Sequence, residues 1–347
     1  MSQSFPPHLD RYSRQIRFAP LGEEGQENLL RSRALVVGCG ALGSVIANTL
    51  ARSGVGKLRI VDRDFLELNN LQRQVLYDED DVAAGLPKAI AAQQRLKRIN
   101  SQIEIEAIVA DVDSRNIGQL LEGVDCLVDG TDNFETRFLL NDAALHYRIP
   151  WIYGGCIGAE GQSMTILPGE TPCLRCLIAE APPPGSTPTC DTAGVLGPII
   201  NVIASIQSTE ALKILAGRRE ATSRVLTVVD LWENRVRQVQ LDSLHEQDCP
   251  ACKQGELPWL RGEQGSHTAV LCGRNAVQLS FPGRAALSLE ELATRLADVG
   301  QVTRNKFLLR LSVDSYQLTI FPDGRAIIAG TDDIAEAKTV YAKYVGA

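Results

Sequence analysis

Ala34-Leu-Val-Val-Gly38-Cys-Gly40-Ala41-Leu-Gly43 decides how this chain is read. Its first half is a short apolar run of the kind that forms a buried parallel strand, and its second half spaces three glycines as G-x-G-x-x-G. Glycines at that spacing permit a tight turn and a close approach of backbone to ligand. A helix expected over 41–53 then turns its N-terminus toward a phosphate. Asp62 ends the next apolar run, Lys57–Asp62, placed to accept hydrogen bonds from a ribose. Strand, turn, helix and acid together point to a nucleotide, but the motif is shared by NAD enzymes and does not say which one is bound.

Outward from this stretch the alternation continues. Ile103–Val109, Asp125–Gly130 and Ile149–Tyr153 read as strands, separated by helical stretches near 85–100, 114–122 and 133–146 and preceded by an amphipathic stretch, Leu21–Leu30. Such alternation predicts a doubly wound, Rossmann-like α/β domain with a mostly parallel sheet. Gln162–Leu167 then reads as an added strand, Gly197–Ala216 as a helix, and Val225–Asp230 with Arg235–Leu241 as a hairpin, giving the sheet an antiparallel extension. Between them, Ala179–Pro188 carries Pro182, Pro183, Pro184 and Pro188 and should be a mobile loop. The polar stretch Lys253–His267 is the expected linker, dividing a domain over 1–255 from a small α+β domain over 268–347. In the latter, Phe307, Leu309, Leu311 and Val313 alternate, as do Tyr316, Leu318 and Ile320, and Asp323-Gly324 turns the chain before Ala326–Ala329. A Ser288/Glu291 capping pair opens a helix through Leu289, Leu292 and Leu296, while Ile334, Ala337, Tyr341 and Tyr344 form the stripe of another, so two helices should cover this sheet.

Composition narrows the function classes. A chain of 347 residues has room for two domains, and 35 Lys+Arg against 42 Asp+Glu leave a net charge of −7, without the basic excess of a nucleic-acid binder. The first twenty residues lack a signal-peptide core, and no apolar run reaches the roughly 18 residues that span a bilayer. The expectation is a cytoplasmic protein with neither nucleic acid nor membrane as partner. Nine cysteines in such a setting serve metal or thiol chemistry rather than disulfides.

Several charged residues flank the glycine turn. Asp62-Arg-Asp64 leads into Asn69-Asn70-Leu-Gln-Arg73-Gln74 and then Pro87-Lys88 at a helix start; Arg14 lies upstream, and Thr131-Asp132-Asn133 sits at the mouth of the fourth strand. Ligands of open α/β sheets bind outside the carboxyl ends of the strands, where Asp62 and Asp132 both fall. A triphosphate attacked at one phosphorus needs cations on its oxygens and a carboxylate to hold Mg²⁺. Singly, Arg14 and Arg73 also read as solvated charges, Lys88 as an ordinary helix residue and Asp132 as a helix N-cap.

Taken in order, RYSRQ (11–15), GCGALGS (38–44), DxDxxxxxNLQRQ (62–74), GLPKA (85–89), DGTDN (129–133) and Arg137 resemble the ThiF/MoeB/HesA family, bacterial relatives of ubiquitin-activating enzymes, over roughly residues 8–253. The resemblance implies ATP- and Mg²⁺-dependent adenylylation of the C-terminal glycine of a small ubiquitin-fold sulfur-carrier protein, with sulfur passing to thiamine, molybdopterin or a related product and a sulfur-donor protein as a second partner. It implies that Gly38, Gly40, Ala41, Gly43 and Asp62 bind adenosine and phosphates, and that Asp64, Asn70, Arg73, Gln74 and Lys88 surround the polyphosphate. Asp132 would hold Mg²⁺, with Asn133 beside it. Arg14 would act in the neighbouring subunit of a homodimer. The rival readings are an NAD-dependent oxidoreductase, which the glycine turn and Asp62 alone would fit, and a non-catalytic nucleotide-binding scaffold.

Cys173-Leu-Arg-Cys176 and Cys249-Pro-Ala-Cys252 are two CxxC knuckles, and two knuckles complete a tetrahedral Cys₄ zinc site with no open position, hence a structural one. Cys190 follows the proline-rich loop and reads either as a nucleophile toward an acyl-adenylate or as an unreactive surface thiol. Cys39, Cys126 and Cys156 read as small apolar residues. Some relatives end in a rhodanese domain with a persulfide cysteine. Cys272, the one cysteine of the C-terminal part, heads an expected strand and lacks that loop.

Overall fold

The main sheet of the computed structural model has eight strands: β1 (Arg33–Val37), β2 (Lys57–Val61), β3 (Glu104–Ile108), β4 (Cys126–Asp129), β5 (Trp151–Ile157), β6 (Glu160–Ile166), β7 (Val225–Asp230) and β8 (Arg235–Gln240). The structure describes residues 6–182, 190–245, 248–264, 268–271, 275–279 and 287–346. The strand order is β3-β2-β1-β4-β5-β6-β7-β8; the pairs from β3 to β5 are parallel and those from β5 to β8 antiparallel. This is the doubly wound α/β sheet with an antiparallel extension that the strand spacing predicts. The strand order reverses at β1, whose Val37 pairs with Val61 on one side and Asp129 on the other. Such a reversal opens a crevice at the carboxyl ends of the strands.

Both faces of the sheet are covered. Ala34 and Val36 of β1 enter one core with Ile46 and Leu50 of helix Ala41–Ser53, Leu96 of helix Lys88–Ile99 and Ile203 of helix Gly197–Leu215. Leu35 and Val37, alternating with them, enter a second core with Phe138 and Leu140 of helix Phe134–Tyr147. Each fully buried aliphatic side chain contributes about 1.5–3 kcal/mol. The near-continuous apolar run at 34–37 is thus the signature of a strand buried on both sides.

Three expectations change. The helix read over 114–122 is a single turn, Ile117–Leu120. Strands β5 and β6 run further into their hairpin than read, because Gly154 and Gly155 do not break β5: a Cβ at Gly154 would lie 2.3 Å from the Gln207 side chain, and one at Gly155 3.2 Å from Arg137 Nη2. The polar stretch from Lys253 is not free linker through residue 264. Trp259 packs on Phe138 with ring centroids 5.5 Å apart, and its amide donates to Asp142 Oδ2 at 3.0 Å.

The chain divides into two compact units, Met1–Cys190 with Gly194–Gln264, and Asp191–Ala193 with Gly265–Ala347. In the second, an antiparallel sheet runs β11-β12-β13-β14-β10-β9, comprising β9 (Thr268–Leu271), β10 (Ala276–Leu279), β11 (Gln301–Arg304), β12 (Leu309–Val313), β13 (Tyr316–Ile320) and β14 (Ala326–Ala329). Leu309, Leu311, Leu318 and Ile320 pack against Leu292 and Leu296 of helix Leu289–Leu296 and Tyr341 of helix Ile334–Tyr344. Ser288 Oγ caps the first of these helices by accepting from the Glu291 amide. The expected sheet with two helices is present, with β9, β10 and β11 in addition to the strands read from the alternation. Cys272 lies outside the described residues. Among these residues no helix is long and apolar enough to cross a membrane.

Candidate active site

The glycine turn occupies the crevice where the strand order reverses. Gly38 adopts φ +82°, a left-handed conformation that favours glycine, and a Cβ on Gly43 would fall 1.8 Å from the Gly38 carbonyl oxygen, so the first turn of helix Ala41–Ser53 lies directly on the end of β1. Ala41 begins that helix and Gly40 is its N-cap residue. Asp62 is buried and holds the turn: its Oδ2 accepts from the Cys39 amide at 2.6 Å and its Oδ1 from the Asp64 amide at 2.7 Å. Each oxygen keeps a second lone pair for a ligand hydroxyl. Burial pushes the Asp62 carboxyl above its usual range, and Lys88 opposes this.

Lys88 opens helix Lys88–Ile99 and is itself buried, with Nζ 3.0 Å from Asp64 Oδ2 and its amide donating to the Asp64 carbonyl at 2.9 Å. Burial works to lower its pKa, but Asp64 and Asp62 outweigh it and hold the ammonium above its ordinary range. The charges of Lys88, Asp62, Asp64 and Asp132 act on one another here. Asp132 is exposed and its carboxylate accepts no hydrogen bond among the described residues. The helix N-cap is its neighbour Asn133, whose Oδ1 accepts from the Thr136 amide at 2.9 Å.

The 67–74 segment forms a 3₁₀ turn, Leu68–Asn70, beside the glycines. Asn70 is buried and closes this turn, accepting from the Glu67 amide at 3.1 Å, and Arg73 donates to the Asn69 carbonyl at 2.8 Å. Gln74 is buried, its Oε1 without a hydrogen-bond partner among the described residues, and its Nε2 lies 3.8 Å from where a Gly40 Cβ would be.

Two residues of this cluster escape sequence reasoning. Arg63 Nη1 donates to both carboxylate oxygens of Asp111, at 3.1 and 2.9 Å, and Arg63 also senses Asp64 and Asp132. Tyr77 donates to the Cys39 carbonyl at 2.7 Å, fastening the turn from outside. The Asp-Arg-Asp pattern hints at Arg63; nothing local marks Tyr77.

Arg14 stands apart. Gln15, its neighbour, donates to the Ser53 carbonyl at 3.0 Å, and the Tyr12 ring lies against Gly54, so this segment packs at the C-terminal end of helix Ala41–Ser53. The glycine turn is at the other end of a 13-residue helix, roughly 20 Å away at 1.5 Å per residue.

The four knuckle cysteines converge. Their sulfurs all lie within 4.8 Å of one another, with Cys173–Cys176 at 3.8 Å, Cys173–Cys249 at 3.7 Å and Cys176–Cys252 at 3.6 Å, a set able to hold a metal ion. Asn141 fixes the first knuckle by accepting from the Leu174 amide at 2.9 Å, and the second turns on bonds from Lys253 and Gln254 amides to the Cys249 carbonyl. Cys190 begins the short helix Cys190–Ala193, but its side chain and residues 183–189 lie outside the described residues. Cys39 and Cys126 are buried, and burial pushes the Cys39 thiol up to about 12.

Residues 12–251 match the ThiF family. The chain belongs to the ThiF family. It is 45% identical over 337 residues to the sulfur carrier protein ThiS adenylyltransferase of Bacillus subtilis (strain 168), covering 97% of this chain and 99% of that one. It is 43% identical over 247 residues to the SAMP-activating enzyme E1 of Haloferax volcanii, covering 71% of this chain and 90% of the relative. The crystal structure of E. coli MccB with ATP superposes with a TM-score of 0.59 at 23% identity, over 72% of this chain and 75% of that chain, a likeness of fold. As a ThiF-family member this chain is an adenylyltransferase that uses ATP, and the oxidoreductase reading of the glycine turn falls.

Proposed function

We propose that the chain activates the C-terminal glycine of a small ubiquitin-fold sulfur-carrier protein, acting as a homodimer in the cytoplasm. A glycine carboxylate oxygen attacks the α-phosphorus of ATP; the new bond is C–O–P, the bond between the α-phosphorus and its bridging oxygen breaks, and diphosphate leaves. The carboxylate is already ionised, so the step needs no general base. What is required is position and countercharge.

The residues at the crevice suit those two tasks. Gly38, Gly40, Ala41 and Gly43 bring backbone and a helix N-terminus to the phosphates, while Asp62 has lone pairs left for ribose hydroxyls. Lys88 stays charged at all working pH values because its carboxylate neighbours hold its proton. With Arg73 and the partner subunit's Arg14 it would offset charge that builds on the α-phosphate. Asn70 and Gln74 shape the turn that presents Arg73. Asp132, exposed and without a hydrogen bond among the described residues, fits a Mg²⁺ ligand, and Mg²⁺ there would neutralise polyphosphate oxygens. Of all these features, the open Asp132 carboxylate among the charges of Lys88 and Arg63 carries the reading.

The cysteine set suits zinc. A tetrahedral ion with metal–sulfur bonds near 2.3 Å places its sulfurs about 3.8 Å apart; the Cys173–Cys176, Cys173–Cys249 and Cys176–Cys252 separations are 3.6–3.8 Å, and all four sulfurs lie within 4.8 Å of one another. Four protein ligands leave no position for substrate, so zinc there would hold the two knuckles together. The place of the Arg14 segment supports the dimer: packed at the far end of helix Ala41–Ser53 from the glycine turn, Arg14 would serve another chain's site. We assign the adenylyltransferase domain to the first unit, carrying the expected 1–255 on to residue 264, and the smaller module to 268–347, with a sulfur-donor protein as the partner after activation.

The test is ATP–diphosphate exchange with purified carriers ending in glycine. Exchange is expected only when carrier, ATP and Mg²⁺ are all present; exchange that ignores the carrier, or none with any glycine-ended carrier, would refute the assignment.

A further inference from the structure

Three residues before Asp132 lies a second carboxylate of opposite character. Asp129 is fully buried at the end of β4, its Oδ1 accepting from the Thr131 amide at 2.8 Å and from the Thr131 hydroxyl at 2.7 Å. Arg137, one turn into helix Phe134–Tyr147, faces it with Nε 3.5 Å from Asp129 Oδ2. Its Nη2 donates to the Thr131 carbonyl at 2.8 Å and to the Gly154 carbonyl at 3.1 Å, joining β5 to the turn after β4. Phe134 and Tyr153 flank the guanidinium, with ring centroids 5.6 and 5.4 Å away. From the other face of the sheet, Gln207 of helix Gly197–Leu215 donates to the Asp129 carbonyl at 2.8 Å and to the Ile152 carbonyl at 3.2 Å.

Gln207 fits against β5 because residue 154 lacks a Cβ, which would lie 2.3 Å from its side chain, and a Cβ at residue 155 would crowd Arg137 Nη2 at 3.2 Å. Two buried polar groups, from helices on opposite faces, therefore hold the carbonyls on either side of the turn that ends in Asp132. Arg137 is buried, with Nη2 bonded to two backbone carbonyls and Nε turned to Asp129, so it holds the turn. Burying a guanidinium and an amide costs free energy that an apolar pair would not. What the polar pair supplies and an apolar pair cannot is fixed carbonyl positions, and hence a fixed starting point for residue 132.

We propose that Arg137 and Gln207 are positioning residues for Asp132, together setting the affinity of the active site for its divalent cation. This rests on the proposed role of Asp132 as a cation ligand. A lysine at 137 keeps the charge but ends in one donor atom on a flexible stem, unable to hold the Thr131 and Gly154 carbonyls, as Arg137 Nη2 does, while also facing Asp129, as Arg137 Nε does. Arg137→Lys should therefore fail to substitute, and Gln207→Met, close in volume but without the donor, should show the same defect more weakly.

The experiment is Mn²⁺ binding, followed by electron paramagnetic resonance, to the full-length enzyme holding a non-hydrolysable ATP analogue. Exchange kinetics and thermal unfolding are measured alongside. Arg137→Lys should weaken Mn²⁺ binding about tenfold and lower kcat while KM for ATP stays within about threefold. Gln207→Met should weaken binding about threefold. In an Asp132→Asn background neither change should weaken binding further. Wild-type Mn²⁺ affinity in a folded Arg137→Lys protein would overturn the proposal, as would equal further loss in the Asp132→Asn background. If Arg137→Lys does not fold, Gln207→Met decides by the same criteria. If Asp132→Asn alone binds Mn²⁺ as wild type does, the cation assignment fails and this proposal falls with it. A defect in Asp132→Asn with none in either positioning variant overturns the proposal alone.

Discussion

Around the glycine turn several charged side chains keep lone pairs or protons to spare, whereas the four cysteine sulfurs face chiefly one another against an apolar core. Lys88 leans on Asp64, Arg63 on Asp111, and Asp132 reaches solvent with no hydrogen bond among the described residues. Cys173 and Cys249 are buried, in a core they share with Trp151, Trp259 and Phe138. The difference teaches where to look for chemistry: a group that must meet substrate is left with spare lone pairs or protons, and one that holds the fold has its valences closed.

That contrast can be broken by substitution on either side. Asp132→Ala should lower diphosphate exchange by about a thousandfold or more, with unfolding midpoint and metal content unchanged, because only an exposed carboxylate is removed. Calorimetry and metal analysis on the same sample check it. Cys173→Ser should do the reverse: loss of bound metal and a fall in unfolding midpoint of about 10 °C or more, since metal binding there is folding free energy. A metal-free wild type with an undiminished midpoint would place the cysteines outside the account.

Arg14 sharpens the comparison, since it belongs to the open region of another chain. Arg14→Ala and Asp132→Ala proteins, each inactive, are mixed under conditions that exchange subunits. A residue acting across the interface restores one intact site in each mixed dimer, so activity should return to about a quarter of wild type. No recovery would place Arg14 in its own chain's site, against the separation set by helix Ala41–Ser53.

The sheet and the glycine turn were legible in the sequence because alternating apolar runs and the G-x-G-x-x-G spacing are local signals. So was the cysteine set, since each knuckle is a three-residue spacing and only their convergence is long-range. The polar clamp was not legible. The expected strand stops at Tyr153, and nothing local shows that Gln207 and Arg137 pack against Gly154 and Gly155. Asp132 could be read as a helix cap until Asn133 is seen in that place, because only tertiary structure assigns one of two neighbouring polar residues to the helix. Trp259 sits in a polar stretch and reads as linker until Phe138 and Asp142 are found against it.

The smallest expected effect concerns Cys190. Adenylylation needs no thiol, so Cys190→Ala should keep exchange within about twofold of wild type. If the thiol takes part in sulfur transfer after activation, that variant alone should lose a reducible adduct with the carrier, read by intact mass with and without dithiothreitol. An adduct that persists in the variant removes Cys190 from the chemistry.

The most direct test is the mass of a purified glycine-ended carrier after incubation with enzyme, ATP and Mg²⁺, with diphosphate removed by a pyrophosphatase. The account predicts that the carrier gains one AMP at its C-terminal glycine with wild-type enzyme and none with Asp132→Ala. An unmodified carrier with the wild type, or equal modification by both proteins, would contradict it.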